Sequence, residues 1–224
     1  MTVLLVLASF ILLLTIDYIY SRRRALKSAD AAQPVAAAAQ ARPLPGYVAG
    51  FELKENLRYH PGHTWALGES PNLVRVGIDD FAARLIGKLE SLDLPKRGQW
   101  IRQGQRVATL KRDGRTAEMA SPIEGMVTDI NEAALKSPDL LLNDPYGEGW
   151  LVCVQAPDTK TNFKNLLSGS MARQWMEEAA ARLRGRMPAL AGAVAQDGGV
   201  AIRNLSEALS DQDWSELARE FFLA

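Results

Sequence analysis

The stretch from Val107 to Trp150 constrains the fold of this chain more than any other. Its runs Val107–Lys111 and Thr116–Met119 alternate apolar and polar residues on either side of Asp113-Gly114. A two-residue Asp-Gly loop between such runs predicts a β-hairpin, because the matching turn needs φ > 0 at both central residues and these two tolerate it. Ser121-Pro122 through Gly125 predicts a second turn. Met126–Ile130 resumes the alternation, with Met126, Thr128 and Ile130 on one face and Val127 and Asp129 on the other. Asp144-Pro145-Tyr146-Gly147 reads as a further turn and Trp150–Val154 as a closing strand. These elements predict a small β-sandwich or barrel core whose central hairpin tip is the candidate functional point.

Other short β-like runs, Val74–Ile78 and Trp100–Ile101, extend this pattern. Helices interrupt it. Phe81, Leu85, Leu89 and Leu92 lie at helix-like spacing after Asp79-Asp80, a suitable N-cap, and predict a helix over Phe81–Leu92. Asn131–Leu135 reads as a short helix. Asn162–Arg184 reads as a longer one with Phe163, Leu166, Leu167, Met171, Trp175 and Met176 on a broad face. Beyond the Gly-rich break at Asp197-Gly198-Gly199, Asn204–Leu209 and Ser210–Phe222 read as helical, and Trp214, Leu217, Ala218, Phe221 and Phe222 give the end an apolar face. That end is acidic rather than basic, which fits packing on a domain or partner better than lying on a membrane.

The amino-terminal segment is of another kind. Thr2–Tyr20 is apolar except for Asp17, and at about 1.5 Å per residue such a helix spans a hydrocarbon core. Arg22-Arg23-Arg24 and Lys27 follow it, which is the charge order of an uncleaved anchor rather than of a cleaved signal peptide. The positive-inside rule then puts the rest of the chain on the cytoplasmic side. Ala25–Gly50 is Ala-rich with Pro34, Pro43 and Pro45, a linker that fully extended reaches roughly 80 Å. Four regions result: an anchor with basic flank at 1–24, a linker at 25–50, a globular domain at 51–184 and a helical extension at 185–224.

No catalytic constellation stands out. Acidic and basic residues balance at 26 each, so the totals point to no polyanionic partner such as nucleic acid. The single cysteine, Cys153, sits in the apolar run Leu151-Val152-Cys153-Val154 and reads as a buried thiol. His60 and His63 have no Cys or carboxylate cluster beside them, so no metal is expected, and His63 reads as a structural histidine sharing a strand face with Trp65.

Several blocks, in order, carry a family resemblance: Tyr59-x-x-x-His63-x-Trp65, Val76-Gly77-Ile78-x-Asp80-x-Ala82, Leu94-Pro95-x-x-Gly98, Ser121-Pro122-x-x-Gly125-x-Val127 with Asn131, and Asp144-Pro145-Tyr146-Gly147-x-Gly149-Trp150. Over Tyr59 to Arg184 the chain resembles the H protein of the glycine cleavage system, the lipoyl carrier of that complex. The resemblance implies a mainly β fold with flanking helices, a barrel-sandwich hybrid of two small antiparallel sheets. It also implies a carrier lysine at the hairpin tip, about eight residues before Ser-Pro, within a pattern like Glu-Ser-Val-Lys-Ala. Here that window is Lys111-Arg112-Asp113-Gly114-Arg115, and the lysine position is held by Gly114.

Without lipoyl the domain has no dithiol and no swinging arm, so neither an enzyme nor a cofactor is expected. The tip is instead basic: Lys111, Arg112 and Arg115 surround Asp113-Gly114, and in a two-residue hairpin Arg112 and Arg115 face each other across the ladder. This tip is the candidate docking site for protein partners in a membrane-associated complex. The alternative expectation is a working carrier lipoylated at Lys111, although three positions along a strand turns a side chain to the opposite face. A third is a pseudo-carrier that regulates lipoyl-handling enzymes.

Overall fold

The computed structural model describes residues 46–186, 205 and 209–222. The expected anchor at 1–24, linker residues 25–45, the Gly-rich break at 197–199 and most of the expected helix 204–209 lie outside them. Among the described residues no helix is long and apolar enough to cross a membrane.

Antiparallel strands dominate. A two-residue pair, β1 (Tyr47–Val48) and β2 (Phe51–Glu52), opens the described chain. It lies where the linker was expected to end, because Val48 and Phe51 are buried in the core. A six-stranded sheet follows, ordered β3 (Arg58–His60), β4 (Thr64–Ser70), β5 (Leu73–Ile78), β11 (Trp150–Gln155), β10 (Gly125–Ile130) and β7 (Trp100–Ile101). A three-stranded sheet holds β6 (Ser91–Asp93), β8 (Arg106–Arg112) and β9 (Arg115–Ala120). Side chains of both sheets meet in one continuous core, with Trp65, Tyr59, Phe51, Phe81, Phe221 and Phe222 the largest fully buried groups.

Local sequence explains most element ends. Helix α1 (Asp80–Ile86) is capped by Asp79, whose carboxylate accepts from the Ala82 amide at 2.8 Å. It stops at Gly87, at φ 75°, and does not run on to Leu92 as the apolar spacing suggested. Leu89 and Leu92 are buried all the same, since β6 pairs Leu92 with Leu110 of β8. Helix α2 (Glu132–Lys136) starts at Asn131, which accepts from Ala134 N and donates to the Glu148 and Trp150 carbonyls. Helix α3 (Asp139–Asn143) leads into the Asp144–Gly147 turn.

The expected helix over 162–184 is two helices, α4 (Thr159–Lys164) and α5 (Gly169–Arg186). Between them Leu167 leaves the helical ladder and exchanges two backbone hydrogen bonds with Tyr59, at 2.8 and 2.9 Å. Strand β10 also departs from strict alternation. A register shift between Val127 and Asp129 turns Asp129 outward beside Thr128, so Val127 is buried without the partner on its face that period two assigns. The last helix, α6 (Asp211–Phe222), packs along β9.

Candidate functional site

The hairpin forms in the register that its turn chemistry dictates. Lys111 pairs with Thr116 and Arg112 with Arg115, and Asp113 and Gly114 sit at φ 48° and 74°. Positive φ at both central residues is the two-residue turn whose twist matches the strands. Gly114 is the second of the two central turn residues, and a Cβ built there would have open space within 4 Å.

The two facing arginines are turned to different acceptors. Arg112 reaches back over α1, donating from Nη1 to the Ile86 carbonyl at 2.9 Å, and its Nε lies 3.2 Å from Asp113 Oδ2. Arg115 turns to the C-terminal segment. Its Nε donates to Asp211 Oδ1 and its Nη2 to the Leu209 carbonyl, both at 2.8 Å. Only 13% and 19% of the two side chains are exposed, so the basic tip is folded against its own chain. Asp211 is the partner that sequence reading missed. It lies 96 positions from Arg115, and no local pattern links them.

Lys111 points elsewhere. Its Nζ lies 2.6 Å from Asp93 Oδ2 with the side chain 45% exposed. Together with Leu94, Pro95, Val107, Ala108 and Thr109 it lines an open groove of about 580 Å³. Asp93 is available because β6 runs beside β8, the pairing that replaces the end of the expected helix.

Behind the tip lies a buried aromatic cluster around His63. The residue is not on a strand with Trp65 but in the tight turn between β3 and β4, at φ 58°. Its Nδ1 donates to Asp79 Oδ2 at 2.8 Å, and its ring stacks on Phe81 with centroids 4.0 Å apart. Trp175 and the C-terminal Phe221 and Phe222 complete the surround at 4.6, 6.0 and 6.4 Å. Its Nε2 is buried with no partner among the described residues. Asp79 thus caps α1 with one oxygen and orients His63 with the other.

The other singled-out residues are structural in the same sense. Trp65 Nε1 donates to the Ile78 carbonyl at 2.7 Å and the Pro145 carbonyl at 3.1 Å, tying the 144–147 turn to β5. Tyr146 donates to Glu52 O at 2.6 Å and accepts from Asp80 N, and burial holds its hydroxyl well above the usual phenol range. Burial likewise pushes the Cys153 thiol and the Asp80 carboxyl up. Among the described residues no group of three or more His, Cys, Asp or Glu is placed to hold a metal ion.

Comparison with known proteins follows this geometry. The family model described as "Glycine cleavage H-protein" matches residues 57–179. A probable glycine cleavage system H protein of Aeropyrum pernix is 36% identical over 118 residues, 53% of this chain and 81% of its own. The glycine cleavage system H protein of Coprothermobacter proteolyticus is 34% identical over 128 residues, covering 57% of this chain and 100% of its own. A crystal structure of such a protein from Mycobacterium marinum aligns with a TM-score of 0.49 at 26% identity, over 56% of this chain and 98% of that one.

Proposed function

The chain belongs to the glycine cleavage H-protein family, and we propose that it is a non-enzymatic member: a membrane-tethered module without the carrier lysine that docks protein partners in a membrane-associated complex. One observation carries this reading. Gly114 is one of the two central residues of the hairpin turn, which needs φ > 0, and Arg112 and Arg115 flank that turn. A residue with no side chain cannot be acylated, so Gly114 itself carries no lipoyl group. The apolar run Thr2–Tyr20, with its basic flank, supports a single-pass anchor with the domain on the cytoplasmic side. Anchoring raises the module's concentration near membrane partners without any new contact. Its balanced charge gives no support to a nucleic-acid role.

The test is the intact mass of the protein purified from its native membranes with lipoylation enzymes and lipoate present. We expect the mass of the encoded chain with the N-terminal segment retained. An added lipoyl group would overturn the scaffold reading.

A second reading has one observation in its favour. Lys111 is half exposed and opens onto the groove of about 580 Å³, so a chain attached to its Nζ would have a surface to lie on. In that case the protein is a carrier, and peptide mapping places the added mass on Lys111. Against it stands the ion pair with Asp93, which holds Lys111 along the strand and away from the tip.

A further inference from the structure

The helix α6 lies beyond the family match, which ends at residue 179. The Coprothermobacter relative is covered over its whole length by 128 residues of alignment, a length close to that of the family match. Here α6 nevertheless buries Trp214, Leu217, Phe221 and Phe222 to 4% exposure or less. Its seat is made of family-region residues. Trp214 Nε1 reaches the Thr116 carbonyl at 3.4 Å, the Phe221 ring lies 5.1 Å from that of Phe81, and Phe222 stands edge-on to His63.

Charge on the two sides is complementary. The seat offers Arg115, and the end of α5, just beyond the family match, adds Arg182 and Arg186; α6 answers with Asp211, Glu216 and Glu220. Arg182 also covers the Phe221 ring at 5.6 Å. Ahead of α6, Leu205 is buried in the same core at 1% exposure.

We infer that the hairpin face beneath α6 is a docking surface for an acidic amphipathic helix, occupied in cis by α6 and open in trans to a partner helix of the same chemistry. That chemistry is an acidic first turn followed by an aromatic–aliphatic ridge at the spacing of Trp214, Leu217 and Phe221. The inference deepens the docking reading above and names the partner's form. The cis helix taxes every competitor by the fraction of time that the seat is open. It also keeps Arg115 and a run of aromatic surface covered until a partner arrives.

The test uses the full chain in detergent or nanodiscs, and as probe a labelled synthetic peptide of residues 209–222. Trp214→Ala in the chain weakens the cis helix and leaves the seat intact. We expect amide exchange in α6 and β9 to rise about tenfold or more while β5 and β11 are unchanged. The peptide should bind this variant about tenfold or more tightly than the unsubstituted chain, and a peptide carrying the same substitution should not bind. Equal acceleration of β5 and β11 would make α6 a fixed part of the core and overturn the inference. So would peptide binding to neither chain, or equally to both. Dimers of the unsubstituted chain that exchange α6 between copies would assign the seat to a second copy instead of a partner. Lipoylation at Lys111 would defeat the scaffold reading and leave these outcomes unaffected, so the two failures are separable.

Discussion

At the scale of single residues, the functional question turns on Gly114. Its Cβ position is open, so Gly114→Lys meets no neighbour, and the φ of 74° costs roughly 1–2 kcal/mol for a residue with a side chain. That variant is expected to fold and to gain a lipoyl group when a ligase and lipoate are supplied, read as added mass on the tip peptide. A folded variant that stays unmodified would mean that the tip is not presented as the resemblance implies. His60 gives a second residue-scale prediction. Burial, reinforced by the nearby His63, lowers its proton affinity below the ordinary value of 6.5. A depressed folded-state value means that its contribution to stability is complete above about pH 6.5 and is lost as pH falls through the folded value. The urea midpoint should therefore drop more between pH 7.5 and 5.5 in the unsubstituted protein than in His60→Gln.

At the scale of elements, α1 holds the core edge through one side chain. Asp79 accepts from Ala82 N and from His63 Nδ1, both at 2.8 Å, and is fully buried. Asp79→Ala removes a cap worth ~1 kcal/mol and strands a buried ring N–H at a further ~1–3 kcal/mol. A loss of about 3 kcal/mol in urea unfolding, with the slope unchanged, is the expected outcome. A loss under 1 kcal/mol would show that His63 finds another acceptor. The neighbouring elements show why spacing misleads. Leu85, Leu89 and Leu92 share an apolar periodicity, yet Gly87 ends the helix and the last two reach the core from the loop after it and from a strand. A hydrophobic repeat records burial, and here two backbone conformations satisfy it.

At the scale of the whole molecule, the strands β5, β11 and β10 and the added helix α6 share one core. Cys153, the only cysteine, lies in the middle of that sheet at 9% exposure with its thiol pushed up by burial. Native-state alkylation at pH 8 should run slower than in denaturant by about a hundredfold or more, since it waits for the sheet to open. Fast labelling would mean that β11 opens locally, and the sheet would then be less cooperative than its continuous pairing implies. The same measurement in the Trp214→Ala chain separates loss of α6 from loss of the core.

The sequence by itself determined what short-range chemistry can set. Asp113-Gly114 requires a turn with positive φ and so places the hairpin and the facing pair Arg112 and Arg115. Asp79 and Asn131 cap the helices that follow them, and the turn residue after Asp113 is Gly114. Only the tertiary structure decided where the tip's charges go. Arg115 meets Asp211, Arg112 meets the end of α1, and Lys111 meets Asp93, each across a separation that no local period encodes. His63 likewise left its expected strand because Asp79 and four aromatic rings, drawn from distant segments, give its ring a buried place in a turn. Turns and caps are fixed by a few neighbouring dihedrals and donors, whereas these contacts exist only once hydrophobic burial has brought the sheets and α6 together.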